Sequence, residues 1–184
     1  MSFYSLTELA SLGLKTYGKN VLISRSALLY NAKNISIGNN VRIDAFSILS
    51  SGNEPFVIDN YIHIATGVCI WGGNGFHIKS LSNISAGSKI YTQSDSYCGN
   101  YLIGPAVPQK YRNIYGSPLT IEKHTIIGAG TIVLPGSIIG EGVAIGANSL
   151  VMKECKPWGI YAGSPAKFIK ERSKKLLELE KELS

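Results

Sequence analysis

The sequence predicts an all-β fold, a parallel β-helix built from hexapeptide repeats, and three observations support this prediction. A branched apolar residue recurs every six positions, a small or β-branched residue follows it by four, and Gly or Asn often stands between them. From residue 121 the consecutive frames read IEKHTI, IGAGTI, VLPGSI, IGEGVA and IGANSL. In such a coil the large residue fills the interior, the small one fits beside it, and Gly or Asn accepts a turn with positive φ.

The same period extends toward the N-terminus with two interruptions. Earlier frames are IGNNVR, IDAFSI, IDNYIH, IATGVC and ISAGSK, which begin at Ile37, Ile43, Ile58, Ile64 and Ile84. The frame slips by two residues between Leu29 and Ile37, and again between Ile70 and Ile78, which predicts widened corners. Three hexads make one triangular coil, and stacked coils pair like parallel strands. An amphipathic helix is excluded because six-residue spacing does not keep one face on a 3.6-residue period.

Three segments lie outside the repeat. Ser5 and Glu8 match a capping box, which predicts a short helix over residues 5–11. Residues 96–120 break the hexads with four tyrosines and three prolines, and a long insertion of this kind is usually functional. The apolar spacing of the tail predicts a helix. We therefore expect one domain over 1–184, with a cap at 1–20, the β-helix at 21–163 including the extended loop 96–120, and a C-terminal helix at 164–184.

Composition narrows the class of protein. The three cysteines, Cys69, Cys98 and Cys155, are odd in number and lack CxxC spacing, which argues against a disulfide framework and a zinc knuckle and favours the cytoplasm. We expect no signal peptide and no transmembrane segment, because no apolar run reaches the roughly 20 residues that a bilayer requires. Of the 18 basic residues, 8 lie from Lys153 onward among glutamates, which is typical of a solvated helix and not of a nucleic-acid-binding stripe.

The hexads, the loop before Ile121 and the string YAGSPAKFIKER resemble the hexapeptide family of xenobiotic and sugar acetyltransferases, which includes galactoside and maltose acetyltransferases. The segments FYSLTELASLG and KPWGIYAGSPAKFIKERSKKLLELEKEL are most similar to N-acetyltransferases that act on nucleotide-linked 4-amino-4,6-dideoxy sugars of surface polysaccharides. The resemblance implies a left-handed coil and a homotrimer. It also implies acetyl transfer from acetyl-CoA to a sugar or nucleotide-sugar acceptor, without a metal.

The resemblance also implies where coenzyme A binds. Family members hold it in the groove between adjacent subunits, and matching the last hexads without gaps places the backbone contacts at Ala129 and Ala147. The basic residues that meet the nucleotide phosphates fall on Lys153 and Lys167. Backbone donors suit a pantetheine amide, and an ammonium group suits a phosphate. Plain corner residues and solvated surface charges are the structural alternatives.

The catalytic position departs from the family. Its members usually carry a histidine just before the long loop, whereas the corresponding string here is IYTQSD and places Asp95 at that position. A carboxylate with an ordinary pKa near 3.9 is a poor base for an alcohol, so Asp95 is better suited to hold an ammonium group and orient the acceptor. We therefore expect an amine acceptor in preference to a hydroxyl.

Three histidines are candidates for the base. Frame counting places His77 one coil before Asp95, within predicted hydrogen-bond reach of it. His63 matches a histidine expected in the closest subgroup, and because it lies at a different corner it acts only across a subunit interface. His124 is expected at an exposed turn. We favour His63 over His77, with an ordinary surface histidine as the alternative for each.

Five further residues are candidates for acceptor binding. Asp44 matches a family asparagine that contacts the sugar, and Arg42 either meets a diphosphate or pairs with Asp44. Ile114 and Tyr115 match loop residues that wall the acceptor site. Trp71 either stacks on a sugar or base or is a packed corner aromatic.

Three other functions are weighed against this one. A sugar or polysaccharide O-acetyltransferase needs an effective histidine base. A γ-type carbonic anhydrase shares the coil and needs three zinc histidines, but the spacings of 14 and 47 residues between the histidines here do not fit. A non-catalytic β-helix module would explain the missing loop histidine, although the lysines and the aromatic loop argue against it.

Overall fold

The structure, a computed structural model, describes residues 2–183 and is a parallel β-solenoid. Its short strands stack into three sheets of seven, eight and six members, parallel except for one antiparallel strand at the end of the eight-stranded sheet, and a two-stranded ribbon stands apart from them. This confirms the predicted all-β class, and the architecture is consistent with a left-handed coil. None of the helices within residues 2–183 is long and apolar enough to cross a bilayer.

The elements are short throughout. In chain order the strands are β1 Thr16–Tyr17, β2 Leu22–Ile23, β3 Leu28–Tyr30, β4 Ile35–Ile37, β5 Val41–Ile43, β6 Ile48–Ser51, β7 Phe56–Ile58, β8 Ile62–Ile64, β9 Cys69–Gly72, β10 Phe76–Ile78, β11 Asn83–Ile84, β12 Lys89–Tyr91, β13 Gln93–Asp95, β14 Ile114–Gly116, β15 Leu119–Ile121, β16 Ile126–Ile127, β17 Ile132–Val133, β18 Ile138–Ile139, β19 Ala144–Ile145, β20 Leu150–Val151, β21 Glu154–Cys155, β22 Gly159–Ala162 and β23 Lys167–Glu171. The α-helices are α1 Leu6–Ser11 and α2 Leu176–Glu180, and short 3-10 helices span Ala32–Asn34 and Gln109–Tyr111. The first coiled strand, β1, falls inside the segment expected to be the N-terminal cap.

The hexad period sets the register of the stack. In the first sheet, which runs β1-β4-β7-β10-β15-β18-β21, Ile37 pairs with Ile58, Ile58 with Ile78, Ile78 with Ile121 and Ile121 with Ile139. All five side chains are buried in a continuous core. Ile58, Ile78 and Ile121 therefore pack between isoleucines above and below, which is why the apolar position repeats once per strand.

The small residues of the hexads are buried as predicted, and their hydroxyl groups bond to the corners. Thr131 Oγ1 donates to Gly146 O at 3.1 Å, and Ser149 Oγ donates to the same carbonyl oxygen at 2.7 Å. Ser137 Oγ donates to Leu134 O at 2.8 Å. Burying a hydroxyl without a partner is costly, so these bonds explain why Ser and Thr are tolerated at interior corners.

The widened corners all lie at one edge, between the third sheet (β3-β6-β9-β12-β17-β20) and the first. Two of them, the 3-10 turn Ala32–Asn34 and the turn before β10, confirm the predicted slips. A third, at residues 52–55, was not predicted. The long excursion leaves the coil at this same edge, because it connects β12 of the third sheet to β15 of the first.

The predicted N-terminal capping box is confirmed. Ser5 N–H donates to Glu8 Oε2 at 2.8 Å, and Glu8 N–H donates to Ser5 Oγ at 3.4 Å. Arg25 Nη2 lies 2.6 Å from Glu8 Oε2 and ties the helix to the coil. The hydrogen bonds from Ser5, followed by that from Arg25, lower the pKa of Glu8 to about 2.

This depressed pKa predicts an acid-dependent loss of stability. A carboxyl group whose folded pKa is lowered contributes stability above its unfolded pKa, and the contribution disappears as the pH falls through the folded pKa. We expect the melting temperature of the wild type to decline between the ordinary value of 4.5 and about 2 more steeply than that of Glu8→Gln. Glu54→Gln, at an exposed position, is the control; parallel pH profiles for the wild type and Glu8→Gln would contradict the assignment.

The predicted helix over 164–184 is wrong for its first half. Lys167–Glu171 forms β23, which pairs antiparallel with β22. The reason is that β22 is the last strand of its sheet and would otherwise expose unpaired backbone groups, which β23 covers. Phe168 contacts the Tyr161 ring edge-on at 5.7 Å between centroids. Only α2 is helical in the tail.

The predicted exposure of His124 is also wrong. His124 does occupy a turn, with φ of 61°, but it is 5% exposed. The Trp158 ring lies 6.0 Å from it, and Glu180 Oε2 lies 3.0 Å from its Nε2. Glu180 also pairs with Lys123, so α2 is held against the coil over this turn. Trp158 and Glu180, which cover His124, lie more than thirty positions further along the chain, and no local pattern predicts these contacts.

Candidate active site

The excursion begins and ends in a ribbon that holds three of the predicted site residues. Strands β13 and β14 pair antiparallel, with Asp95 opposite Ile114 and Ser94 opposite Tyr115. The Ile114 and Tyr115 side chains remain 43% and 45% exposed, so they are available to wall a site. The ribbon therefore brings Asp95, Ile114 and Tyr115 together, and their roles at an acceptor site stay a prediction.

Both oxygens of Asp95 are hydrogen-bonded. Arg112 Nη2 and Nε donate to Oδ1 at 2.8 and 3.2 Å, and Gly104 N–H donates to Oδ2 at 3.0 Å. These bonds, that from Arg112 first, lower the pKa of Asp95, so the group is ionised at neutral pH. Asp95 lines a cavity of about 450 Å³ within the loop, together with Ser94, Ser96, Tyr97, Gly99, Tyr101, Leu102 and Ile103.

A second polar group lies on the outer face of the second sheet, which runs β2-β5-β8-β11-β16-β19-β22-β23. His63 Nε2 is 2.7 Å from Asp44 Oδ2, and Arg42 Nε donates to Asp44 Oδ1 at 2.7 Å. Burial of Asp44 raises its pKa, but the hydrogen bonds from His63 and Arg42 outweigh that effect, and the net shift is downward. Arg42 thus forms the pair with Asp44 that was one of its two expected roles.

The predicted contact between His77 and Asp95 is not formed. His77 lies on β10, and its Nε2 is 2.9 Å from Asp59 Oδ1. Asp95 has left the coil by that level and is bonded to Arg112 and Gly104 instead. Frame counting gives the correct coil for His77 but not the direction in which the excursion carries Asp95.

Trp71 belongs to an aromatic stack on the third sheet. It pairs in register with Tyr91, and the two rings stack with centroids 5.4 Å apart and an interplanar angle of 13°. The Trp71 side chain is 36% exposed. It is therefore neither a packed interior aromatic nor an isolated one, and the stack offers an outward ring face to a ligand.

The two alanines predicted to meet coenzyme A lie at exposed positions of one stacked corner. Asn148 N–H donates to Ala129 O at 2.8 Å, so consecutive coils are bonded there. An added Cβ at Gly128 would lie 2.6 Å from Ala147 N, which shows how closely the two backbones approach. Ala129 and Ala147 therefore lie at stacked corners of consecutive coils, and their contact with coenzyme A stays a prediction.

The two predicted phosphate-binding lysines are exposed near the C-terminal end of the coil. Lys153 follows β20, and Lys167 opens β23 opposite Ala162. Among residues 2–183 no carboxylate lies within 4.0 Å of either ammonium group. Both positive charges are therefore available to an anion.

The three histidines lie apart. Each pairs with a different carboxylate, at Asp44, Asp59 and Glu180. Within the described part of the chain, no group of three or more His, Cys, Asp or Glu side chains is placed to hold a metal ion. The histidine arrangement that a γ-type anhydrase needs is therefore not formed by one chain.

Comparison with known proteins identifies the family. The model described as bacterial transferase hexapeptide (six repeats) matches residues 118–153. An Escherichia coli protein, dTDP-4-amino-4,6-dideoxy-D-glucose acyltransferase, is 47% identical over 180 residues, covering 98% of this chain and 94% of that protein. The chain belongs to the hexapeptide-repeat acyltransferase family. It is an acyltransferase, which overturns the alternative of a non-catalytic module.

Solved structures of similar proteins have the same fold over nearly the whole length of this acyltransferase. AntD, an N-acyltransferase from Bacillus cereus, matches with a TM-score of 0.95 and 45% identity, covering 99% of this chain and 96% of that one, in a variant complex with dTDP-4-amino-4,6-dideoxyglucose and coenzyme A. AntD in complex with dTDP and 3-hydroxybutyryl-CoA matches with a TM-score of 0.94 and 45% identity over the same shares of the two chains.

Sequence reasoning missed two residues of the acyltransferase that shape the candidate site. Tyr91 stacks on Trp71 and stands 20 positions after it. Trp71 and Tyr91 both directly follow an inward isoleucine, so their equivalent positions in the repeat were the signal that could have predicted the stack. Arg112, which holds Asp95, carries no such signal, because its contact depends on how the loop folds back.

Proposed function

We propose that this acyltransferase moves the acetyl group of acetyl-CoA onto the amino group of a dTDP-linked 4-amino-4,6-dideoxy sugar, in surface polysaccharide synthesis. The observation that carries the proposal is Asp95, an ionised carboxylate that lines the loop cavity where the family usually places a histidine. A carboxylate is complementary to an amine, since it accepts hydrogen bonds from the amine and donates none. The full-length relatives that act on or bind this class of sugar support the same acceptor.

The coenzyme is assigned to the stacked corner and the two free lysines. Backbone groups at Ala129 and Ala147 bond the pantetheine amides, and Lys153 and Lys167 meet the nucleotide phosphates. Acetyl-CoA supplies the acetyl group as a thioester, and free coenzyme A thiol is the second product. The complex of AntD with 3-hydroxybutyryl-CoA makes that acyl group the natural competitor to test beside acetyl.

The acceptor is assigned to three surfaces. Asp95 holds the amine, and Ile114 and Tyr115 wall the sugar at the ribbon. The Trp71 ring, stacked on Tyr91, offers a face for the thymine base or the sugar.

Arg42 and Asp44 complete the acceptor site from the second sheet. Asp44 bonds a sugar hydroxyl group. Arg42 holds Asp44 in place and offers its remaining guanidinium donors to the diphosphate.

We assign the base to His63 and not to His77, because the contact between His77 and Asp95 is not formed. Since Asp44 is ionised, it accepts a hydrogen bond from the Nε2–H of His63, which leaves Nδ1 as the basic nitrogen. His63 and Asp95 lie on different faces of one chain, so we place the site between subunits of a cytoplasmic homotrimer.

The role of His63 is tested with His63→Gln. We expect kcat to fall at least about tenfold, because glutamine fills the position but accepts no proton at neutral pH. His77→Gln, which perturbs the equivalent pair with Asp59, is the matched control and is expected to retain near wild-type kcat. Equal losses in the two variants would remove His63 from the mechanism.

A hydroxyl acceptor is the second candidate, because a histidine bonded to a carboxylate is the arrangement that deprotonates an alcohol. Thiol release from acetyl-CoA separates the two candidates when it is measured with a dTDP-4-amino-4,6-dideoxy sugar and with its 4-hydroxyl counterpart. We expect release with the amine only. Release with the hydroxyl only would overturn N-acylation.

A further inference from the structure

Arg112 lies two residues before β14, whose Ile114 is opposite Asp95, and belongs to the same loop. Its side chain is 14% exposed, and its guanidinium donates twice to one oxygen of Asp95, at 2.8 and 3.2 Å. Ser96 N–H donates to Asn113 O at 2.8 Å, so the backbone on either side of the pair is also bonded. The pair is therefore held by the fold of the loop and is not a chance surface contact.

The hydrogen bonds to Asp95 leave one acceptor position open for an amine. An ionised carboxylate offers about four acceptor positions. Two donors from Arg112 occupy Oδ1 of Asp95, and the Gly104 N–H occupies one position on Oδ2. One position on Oδ2 remains for a donor from the cavity that Asp95 lines.

The charge of Arg112 has a consequence for the nucleophile. An unpaired carboxylate stabilises an adjacent ammonium relative to the neutral amine, and only the neutral amine has a lone pair to attack a thioester. A guanidinium bonded to the same carboxylate offsets much of that stabilisation. We propose that Arg112 is a positioning residue that fixes Asp95 and offsets its charge, so that the acceptor amine is held as the neutral nucleophile; this rests on the proposed function.

Other titratable groups also lie near Asp95. Tyr97 and Tyr101 line the same cavity, and the thiol of Cys98 accepts a hydrogen bond from Ser96 at 3.1 Å. Of the described residues, Arg112 is the cation that contacts Asp95. The proposed base His63 is present in every variant below, so the difference between two pH profiles reports the charge at position 112.

The test is the pH dependence of kcat for wild type, Arg112→Gln and Arg112→Lys, measured with the amino sugar and saturating acetyl-CoA. We expect the pH of half-maximal kcat to rise by about one unit in Arg112→Gln, and to stay near that of the wild type in Arg112→Lys, which keeps the charge. Coenzyme A affinity and the melting temperature, measured in parallel, report whether each variant folds.

A second measurement needs no variant. The wild-type pH of half-maximal kcat should lie at or below the pKa of the free amino sugar, because an uncompensated carboxylate would move it above that value. If the wild-type pH of half-maximal kcat lies clearly above the pKa of the free amino sugar, the inference is overturned. A uniform loss of activity in Arg112→Gln without a shift also overturns it, because that result indicates a purely structural role.

Three further outcomes separate the role of Arg112 from the proposed function. A raised KM for the nucleotide sugar with an unshifted profile assigns Arg112 to the diphosphate and overturns the inference. A wild type inactive toward every amino sugar removes the proposed function and this inference with it. An active wild type with an unshifted Arg112→Gln profile removes the inference alone.

Discussion

Replacing Asp95 by Asn should lower kcat/KM for the amino sugar at least about tenfold and leave coenzyme A affinity largely intact. The amide keeps the shape of the carboxylate but removes the charge that faces the amine and leaves the Arg112 guanidinium uncompensated. The corner residues Ala129 and Ala147, assigned to the coenzyme, lie on the coil and not in the loop. The measurement is steady-state kinetics together with calorimetric titration of coenzyme A.

The matched control is Glu122→Gln, which makes the same chemical change in an ion pair with Lys79 on the coil. It is expected to leave kcat/KM close to that of the wild type. An unaffected rate in Asp95→Asn would remove this aspartate from the mechanism. A parallel loss of coenzyme A binding would show instead that the loop had been disordered.

Ile64→Ala should destabilise the protein by about 2–5 kcal/mol, because it leaves a cavity in a stack that has no other side chain to fill it. Ile64 is fully buried on β8 and pairs in register with Ile43 and Ile84. The core side chains stack in register from coil to coil and relax little around a missing one, so the loss should fall toward the upper part of that range. Chemical denaturation measures it.

Ile169→Ala removes the same atoms from a position that is 57% exposed on β23. Its expected effect is within about 0.5 kcal/mol. Comparable destabilisation by the two variants would mean that the hexad isoleucines are not the main source of stability.

The coil was predictable because each hexad encodes its own strand and corner. The inward isoleucines, the buried Ser and Thr, and the Asn corners all follow from local rules. The same rules fail at Phe46, Tyr61, Leu81 and Trp158, which also adopt positive φ although side chains of these types seldom do. There the stacking of neighbouring coils outweighs the local preference.

The site was predictable only in part, for the same reason. Asp44 and His63 were found singly, and their pairing follows from the register of β5 on β8, in which Arg42 lies opposite His63. The partners of Asp95 and His124 come from a loop and a tail whose paths the hexads do not determine. The helix predicted over 164–184 is wrong in its first half because Lys167–Glu171 pairs its backbone with the free edge of β22 instead.

N-acylation is tested most directly by the mass and bond type of the product formed from acetyl-CoA and dTDP-4-amino-4,6-dideoxyglucose. We predict a product heavier by one acetyl group, with an amide that resists hydroxylamine. An ester that hydroxylamine cleaves, or no acetylated sugar despite measured binding of both substrates, would contradict this prediction.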